Sequence, residues 1–212
     1  MNKATIAPLL EGYKAFKEKH FVKSKTFEDL IKYGQKPKAL VIACCDSRAD
    51  PAIITNCEPG ELFVIRNVAN LVPKFEGDHK HHGTSAALEF GVCSLGIKDI
   101  IILGHSHCGG IKALMEENNE NEKSSDFIDT WMDVANAAKQ RCIKECSKES
   151  IDKQLHHCEK LSLLISLKNL STFPWIKERL EKGAISLHAW YFDLETGSLE
   201  TYHQTSNEFR PV

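Results

Sequence analysis

The sequence lacks several features that would define a function class by themselves. No apolar run approaches the ~20 residues that a membrane-spanning helix needs, and there is no internal repeat or low-complexity segment. The formal net charge is −2, so the basic surplus that is typical of nucleic-acid binding is missing. The amino-terminal stretch has no apolar signal core followed by small residues. We therefore expect a cytoplasmic protein with neither membrane nor nucleic acid as a partner.

The length of 212 residues fits one domain over 1–212. Within it, we expect residues 1–34 to form an amino-terminal helical arm, because their apolar positions have helical spacing. These positions are Leu9, Leu10, Tyr13, Phe16 and Phe21.

Cysteine, by contrast, is abundant, with eight residues in the chain. Disulfide-rich secreted scaffolds are usually shorter, and this sequence has no secretion signal. We therefore expect reduced thiols, which are available to bind a metal ion.

Short apolar runs alternate with helical patterns along the chain. The pattern predicts an α/β fold, with a mostly parallel central sheet flanked by helices and an antiparallel carboxy-terminal edge hairpin. Strands are predicted within 38–45, 61–70 and 98–106, and two more within 183–203 around a turn at Thr196 and Gly197. Helices are predicted at 84–96, 124–146 and 150–170, followed by a short one that Pro174 opens. The charge-rich stretches 73–82 and 116–125 are predicted to be the least ordered.

In such sheets, ligands bind in the crevice beyond the carboxyl ends of the strands. Two segments with metal-ligand residues follow predicted strands, namely 44–48 and 104–114. His105 and Cys108 would be two ligands of a zinc ion, and Cys44 or Cys45 a third. His-x-x-Cys alone is weak support for such a site, since a core cysteine and a capping histidine would give the same pattern. The second motif, Cys-x-Asp-Ser-Arg, makes the combination strong.

These two motifs, Cys-x-Asp-Ser-Arg at 44–48 and His-x-x-Cys-Gly-Gly at 105–110, resemble those of the β-class carbonic anhydrases. The stretch 59–70 is also similar, and the likeness extends from about Gln35 to the final hairpin. The resemblance implies one zinc ion per chain and a carbonate dehydratase, a lyase that reversibly hydrates carbon dioxide to bicarbonate and a proton by attack of zinc-bound hydroxide.

The resemblance also implies a set of ligands and catalytic residues. Zinc would be held by Cys44, His105 and Cys108, with Cys45 at a position where the family pattern varies. Asp46 would accept a hydrogen bond from the hydroxide, and Arg48 would hold Asp46 ionised and aimed. Without the zinc motif, Asp46 and its neighbour would more simply be interpreted as a cap of the next helix.

The pocket for this small apolar substrate is expected to be apolar. Spacing relative to the plant-like branch of the family places Gln35, Phe63 and Phe90 in its lining, with Phe90 where that branch has tyrosine. Ordinary core packing would explain both phenylalanines equally well. Gly109 would let the backbone approach a small ligand. The resemblance further implies a homodimer or dimer-based oligomer, with the pocket at the dimer interface and the amino-terminal helix lying across the partner.

One branch of the family closes its site when bicarbonate binds nearby, using a tryptophan, an arginine and a tyrosine. The corresponding positions here are Val41, Arg66 and Phe192, of which only the arginine is retained. We therefore expect the open-site branch, with Asp46 paired to Arg48 and without bicarbonate cooperativity. Two other functions remain open: a related zinc hydrolase for carbonyl sulfide or carbon disulfide, and a non-catalytic zinc or redox module.

Three further groups of residues could bind metal or react, although a simpler interpretation is favoured for each. The histidines of the 77–83 segment could bind metal or relay protons, but a solvated loop is the simpler expectation. Cys142 and Cys146, together with the His-His-Cys run at 156–158, could form a second zinc site, but ordinary helix-face residues are favoured. Cys57 and Cys93 are predicted to be buried thiols.

Overall fold

The structure, a computed structural model, describes residues 3–116 and 125–212. Its β-strands are β1 (Ala39–Cys44), β2 (Leu62–Asn67), β3 (Asp99–His105), β4 (Ser186–Phe192), β5 (Leu199–His203) and β6 (Glu208–Pro211). Its α-helices are α1 (Lys3–Lys17), α2 (Thr26–Tyr33), α3 (Pro51–Ile54), α4 (Gly83–Glu89), α5 (Gly109–Met115), α6 (Ile128–Met132), α7 (Asn136–Cys146), α8 (Ile151–Leu170) and α9 (Pro174–Glu181).

The described strands form one sheet in the order β2-β1-β3-β4-β5-β6. Strands β2, β1, β3 and β4 are parallel, and β4, β5 and β6 are antiparallel. The predicted fold class is therefore confirmed. Every residue of β1 is buried, because alternate side chains enter apolar clusters on the two faces of the sheet: Leu40 and Ile42 on one, Val41 and Ala43 on the other.

The order of the strands creates a crevice at the carboxyl ends of β1 and β3. From β1 the chain moves to β2 on one side, and it then crosses back to β3 on the other side. The connections therefore leave these two neighbouring strands in opposite directions, which opens a gap between their ends. Cys44 ends β1 and His105 ends β3, so both residues lie at this gap.

The structure departs from the predicted elements in several places. The helix predicted at 84–96 is α-helical only to Glu89 and continues as a π-helical turn over Phe90–Ser94. The helix predicted at 124–146 is interrupted, with a 3-10 turn at Asp133–Ala135 between α6 and α7. The predicted final hairpin gains a third strand, β6, whose short sequence ends in proline and gives little strand signal. The prediction of weak order for 116–125 falls mostly on residues outside the described part of the chain, while 73–82 has no regular secondary structure.

The amino-terminal arm is helical, as α1 and α2 show, but its apolar face is not covered by the rest of the chain. Leu9 is 69% exposed and Tyr13 is 57% exposed. An amphipathic helix that leaves this face in water loses most of the free energy that burial would supply. None of the helices among the described residues is long and apolar enough to cross a bilayer.

Candidate active site

The crevice brings three metal-ligand side chains together. Cys44, His105 and Cys108 each direct a ligand atom to one place, and these atoms all lie within 4.8 Å of one another. Their side chains are buried, with exposures of 5%, 1% and 2%. The ligands come from the ends of β1 and β3 and from the amino end of α5, so the paired strands fix their relative positions.

The imidazole of His105 is oriented so that one nitrogen faces the two sulfur atoms. Its Nδ1 lies 2.8 Å from the carbonyl oxygen of Ser106 and must donate to it, because a carbonyl only accepts. Its Nε2 is buried and has no hydrogen-bond partner. A neutral imidazole with Nδ1 protonated presents a lone pair on Nε2, which is the form that binds a metal ion.

Backbone N–H groups surround the two thiols and favour their ionised forms. The Asp46 N–H donates to Cys44 Sγ at 3.4 Å, and the Ala69 N–H also faces this sulfur. The pKa of Cys44 lies well below that of a free thiol, first because the Cys108 thiol hydrogen-bonds to it, and also because the imidazole of His105 and these N–H groups lie beside its sulfur. The pKa of Cys108 is raised, first because its thiol donates a hydrogen bond to Cys44, then because it is buried, and also because the charge of Cys44 would repel a second negative charge there. A divalent cation between the sulfur atoms would relieve that repulsion.

This donor set fits a catalytic zinc site. Zinc takes thiolate and imidazole ligands, and a catalytic site has three protein ligands and one open position. His107 is turned away: it has a left-handed backbone (φ 56°), and its Nε2 lies 2.7 Å from Glu195 Oε1. Cys45 is exposed, as expected of the neighbour that points away from Cys44.

Asp46 and Arg48 form the predicted pair beside this cluster. Arg48 Nε donates to Asp46 Oδ1 at 2.9 Å and Nη2 donates to Oδ2 at 2.7 Å. The guanidinium holds the pKa of Asp46 far below its usual value. Arg48 Nη2 also donates to the His107 carbonyl at 3.2 Å, so it connects the two loops of the site. Asp46 does not cap a helix, because α3 is capped by Asp50, which accepts from the N–H groups two and three residues further on.

Arg66 is hydrogen-bonded to the segment that carries the site. It donates to the carbonyl oxygens of Cys44 at 3.0 Å and Asp46 at 2.7 Å, and to Asp50 Oδ2 at 2.7 Å. Val41 and Phe192 pack in one apolar cluster and supply no polar group nearby. Arg66 therefore holds the end of β1, with each of its three guanidinium nitrogens donating one hydrogen bond.

The predicted pocket residues lie away from the metal-ligand cluster within one chain. Phe63 pairs with Leu40, and its ring lies 6.0 Å from that of Phe90, centroid to centroid; Phe90 is 49% exposed. Gln35 is exposed and precedes the amino end of β1. From its amino end to Cys44, β1 spans about 17 Å at roughly 3.3 Å per residue. The single chain therefore does not bring these three residues to the metal-ligand cluster.

The two glycines of the second motif have different surroundings. A Cβ built on Gly110 would meet Val68 at 2.9 Å and Ala69 at 3.0 Å, so the packing of α5 against this segment requires glycine. A Cβ on Gly109 would meet nothing within 4 Å, so packing does not explain that glycine. Gly109 is exposed, which leaves it accessible to a ligand.

The other candidate groups are less organised. Glu76, Asp78 and His82 also have ligand atoms within 4.8 Å of one another, but the two acids are exposed. Among the described residues, the cysteines of α7 and α8 are not part of a three-ligand group. Cys142 and Cys158 are buried, and the Cys142 thiol donates to the Gln154 carbonyl. The prediction of burial was wrong for Cys93, which is exposed, and Cys57 is only partly buried.

Sequence reasoning missed one buried charge at the site. Glu159 lies on α8, is 3% exposed, and accepts a hydrogen bond from the Cys108 N–H. The available signal was its place in a helix face of otherwise buried residues, including Cys158 and Ser162.

An α/β sheet with a Cys-His-Cys cluster at its crevice, and an aspartate–arginine pair beside it, defines a metalloenzyme. A family model described as carbonic anhydrase matches residues 39–199. Beta carbonic anhydrase 3 of Arabidopsis thaliana is 36% identical over 192 residues, which cover 90% of this chain and 74% of that protein. Beta carbonic anhydrase 5, chloroplastic, of the same organism is 41% identical over 187 residues, covering 86% of this chain and 61% of the relative.

Solved structures agree with the sequence relatives. The β-carbonic anhydrase CcaA has a TM-score of 0.91 and 33% identity, and the alignment covers 99% of this chain and 92% of that one. The chain therefore belongs to the β-class carbonic anhydrase family, whose members are carbonate dehydratases that depend on a metal ion.

Proposed function

We propose that this protein catalyses the reversible hydration of carbon dioxide with one zinc ion held by Cys44, His105 and Cys108. The observation that carries the proposal is the unpartnered, buried Nε2 of His105, which faces two thiols within 4.8 Å beside the Asp46–Arg48 pair. A closed structural zinc site would need a fourth protein ligand and would have no use for that charged pair.

Zinc held by these residues would lower the pKa of a coordinated water, which reaches about 7 at a three-histidine site, and would so supply hydroxide at neutral to mildly alkaline pH. Asp46 has a separate role. Because Arg48 keeps its carboxylate ionised, Asp46 can only accept a hydrogen bond, so it selects an attacking oxygen that still carries a hydrogen. The bidentate contact fixes the plane of the carboxylate, and the lone pair of the nucleophile is thereby aimed at the substrate carbon.

The substrate pocket requires a second copy of the chain in this proposal. Phe63 and Phe90 offer an apolar, partly exposed surface that lies too far from Cys44 in the same chain to line its site. The exposed apolar face of α1 offers a surface for the partner. One solved structure, described as belonging to two tetrameric β-carbonic anhydrases of Sordaria macrospora, matches with a TM-score of 0.75 and 27% identity over 93% of each chain. We propose a homodimer or an oligomer built from dimers, with Gln35, Phe63, Phe90 and Gly109 around the substrate.

The open-site state is part of the proposal. Each guanidinium nitrogen of Arg66 already donates one hydrogen bond within the chain, and valine and phenylalanine stand at the positions of the other two bicarbonate contacts. A bicarbonate ion there would have too few partners to offset its desolvation. We expect bicarbonate to inhibit without sigmoidal dependence, and a sigmoidal curve would place the protein in the closing branch.

The deciding experiment is stopped-flow hydration of carbon dioxide by protein of measured zinc content. Parallel assays with carbonyl sulfide and carbon disulfide separate the proposed activity from that of a related hydrolase. Turnover of those two substrates without carbon dioxide hydration would overturn the proposal, and zinc-loaded protein without any turnover would indicate a non-catalytic module. A cytoplasmic location remains a prediction that cell fractionation would test.

A further inference from the structure

A buried carboxylate lies directly behind the metal-binding loop. Glu159 Oε1 accepts the N–H of Cys108 at 2.9 Å, and Oε2 accepts the hydroxyl of Tyr191 at 2.7 Å. Both side chains are nearly inaccessible, at 3% and 1% exposure. Burying a carboxylate is costly unless hydrogen bonds replace those of water, so packing alone would not favour glutamate here.

The backbone of Cys108 needs such a partner. Cys108 is the residue that precedes the first turn of α5, and its conformation is extended (φ −70°, ψ 116°). Its N–H therefore cannot join the hydrogen bonding of the helix. On the opposite side, Gly110 packs tightly against Val68 and Ala69. Glu159 and this contact together leave the Cys108 backbone little freedom, and the direction of its Sγ follows from that backbone.

Tyr191 connects the same carboxylate to the sheet. It lies on β4 opposite Gly104 of β3, one residue before the ligand His105. The hydrogen bond from Tyr191 therefore fixes the position of Glu159 relative to β3, the strand that carries the metal ligand His105. One carboxylate thus connects α8, the central sheet and the loop that presents Cys108.

We propose that Glu159, oriented by Tyr191, is a positioning residue of the metal site: it holds the Cys108 N–H and thereby aims the Cys108 sulfur at the metal ion. The inference rests on the proposed metal site. It requires only that Glu159 provide a fixed hydrogen-bond acceptor, so an uncharged acceptor of the same shape should serve.

The test compares Glu159→Ala with Glu159→Gln, using Ser166→Ala as a matched control. Ser166 lies on the same helix, is fully buried, and its Oγ accepts the Val72 N–H at 3.2 Å, far along the helix from Cys108. Each protein is titrated with Co²⁺ and with Zn²⁺ in competition with a chelator. The visible bands of the Co²⁺ form, including those from thiolate ligation, and the thermal midpoint are also recorded.

We expect Glu159→Ala to bind metal roughly 10–100-fold more weakly, as is typical when a group supporting a ligand is lost, and to have altered Co²⁺ bands. Glu159→Gln should restore both, because its amide oxygen accepts from Cys108 and its amide N–H can donate to the Tyr191 oxygen. Ser166→Ala should lower only the thermal midpoint.

The proposal is overturned if Glu159→Ala keeps the wild-type metal affinity and Co²⁺ bands, or if Glu159→Gln loses as much as Glu159→Ala does. If Glu159→Ala does not fold, Tyr191→Phe decides: metal affinity reduced several-fold supports the proposal, and unchanged affinity overturns it. A wild-type protein that takes up neither Co²⁺ nor Zn²⁺ would instead refute the proposed metal site itself, and the role of Glu159 with it.

Discussion

Two clusters in this protein meet the same simple geometric criterion for a metal site, yet they differ in almost every other respect. In the crevice, the ligand atoms of Cys44, His105 and Cys108 lie within 4.8 Å of one another, and so do those of Glu76, Asp78 and His82 in the loop before α4. The first group is buried at the ends of paired strands. The second has two exposed acids on irregular backbone.

The two clusters differ in whether their ligand atoms already have hydrogen-bond or ion-pair partners in the chain. In the loop, His82 Nε2 lies 2.6 Å from Asp78 Oδ1, and Lys80 also pairs with Asp78. The hydrogen bond with His82 lowers the pKa of Asp78, and Lys80 places a positive charge beside the same carboxylate. In the crevice, His105 Nε2 has no partner, and two thiols cannot both ionise without added positive charge. Proximity of ligand atoms alone is therefore a poor criterion for a metal site. A better criterion is that the ligand atoms are buried, rigidly held and without hydrogen-bond partners of their own.

The largest effect is expected from removing one crevice ligand. Cys44→Ser should lose most of the bound zinc and nearly all activity, because an alcohol is a poor zinc ligand at neutral pH. Cys45→Ser is the matched control: this neighbour is exposed and points elsewhere, so zinc content and turnover should stay near the wild-type values. Metal analysis and stopped-flow assays measure both. Equal losses in the two variants would contradict the assignment of ligands.

The next effect concerns the charged pair beside the crevice cluster. Asp46→Asn should keep the fold and the zinc but lose activity by roughly 10²–10⁴-fold, the usual contribution of a positioned proton-accepting group. An amide offers the nucleophile both a donor and an acceptor, so the lone pair is no longer aimed.

Asp50→Asn is the control for this comparison, because asparagine caps a helix nearly as well as aspartate does and gives up only the contact of Asp50 Oδ2 with Arg66. We expect it to retain most of the turnover. Near-normal turnover of Asp46→Asn would show that this carboxylate only supports the loop.

The contrast between the two clusters also explains what the sequence could predict. Cys44 and His105 each end an apolar run, and in a parallel sheet such ends lie at one edge, so their meeting followed from local patterns. Glu159 was not predictable, because it lies 51 residues beyond Cys108 and nothing local indicates which loop a buried acid contacts. The interruption of the predicted 124–146 helix was missed for a similar reason: tertiary contacts there, such as the hydrogen bond from Trp131 Nε1 to the Val68 carbonyl, override the helical pattern.

A smaller effect is expected on the pH profile. Because Arg48 lowers the pKa of Asp46, that residue stays ionised throughout the neutral range. Its charge and those of the two thiolates disfavour loss of a proton from the attacking water, and so raise the pKa of that step above the value of about 7 for a three-histidine site. Turnover should therefore rise from neutral into mildly alkaline pH.

In Asp46→Asn, one of these charges is removed, so the midpoint of the residual activity should shift to lower pH. Profiles of both proteins at constant ionic strength measure this. A flat wild-type profile between about pH 6 and 9, a range that brackets the ionisation of zinc-bound water, would contradict the argument.

The smallest effect is expected in the loop cluster. His82→Ala removes the imidazole from Glu76 and Asp78, and it should leave zinc content and turnover unchanged, because those acids lie in water and make no contact with the crevice ligands. The lost pairing is solvent-accessible and screened by water, so the thermal midpoint should change little. His105→Ala, prepared and analysed in parallel, should lose most of its zinc. If His82→Ala lost as much metal as His105→Ala, exposed ligands that already have partners would form a metal site here. Burial and an unpartnered nitrogen would then not distinguish the two clusters.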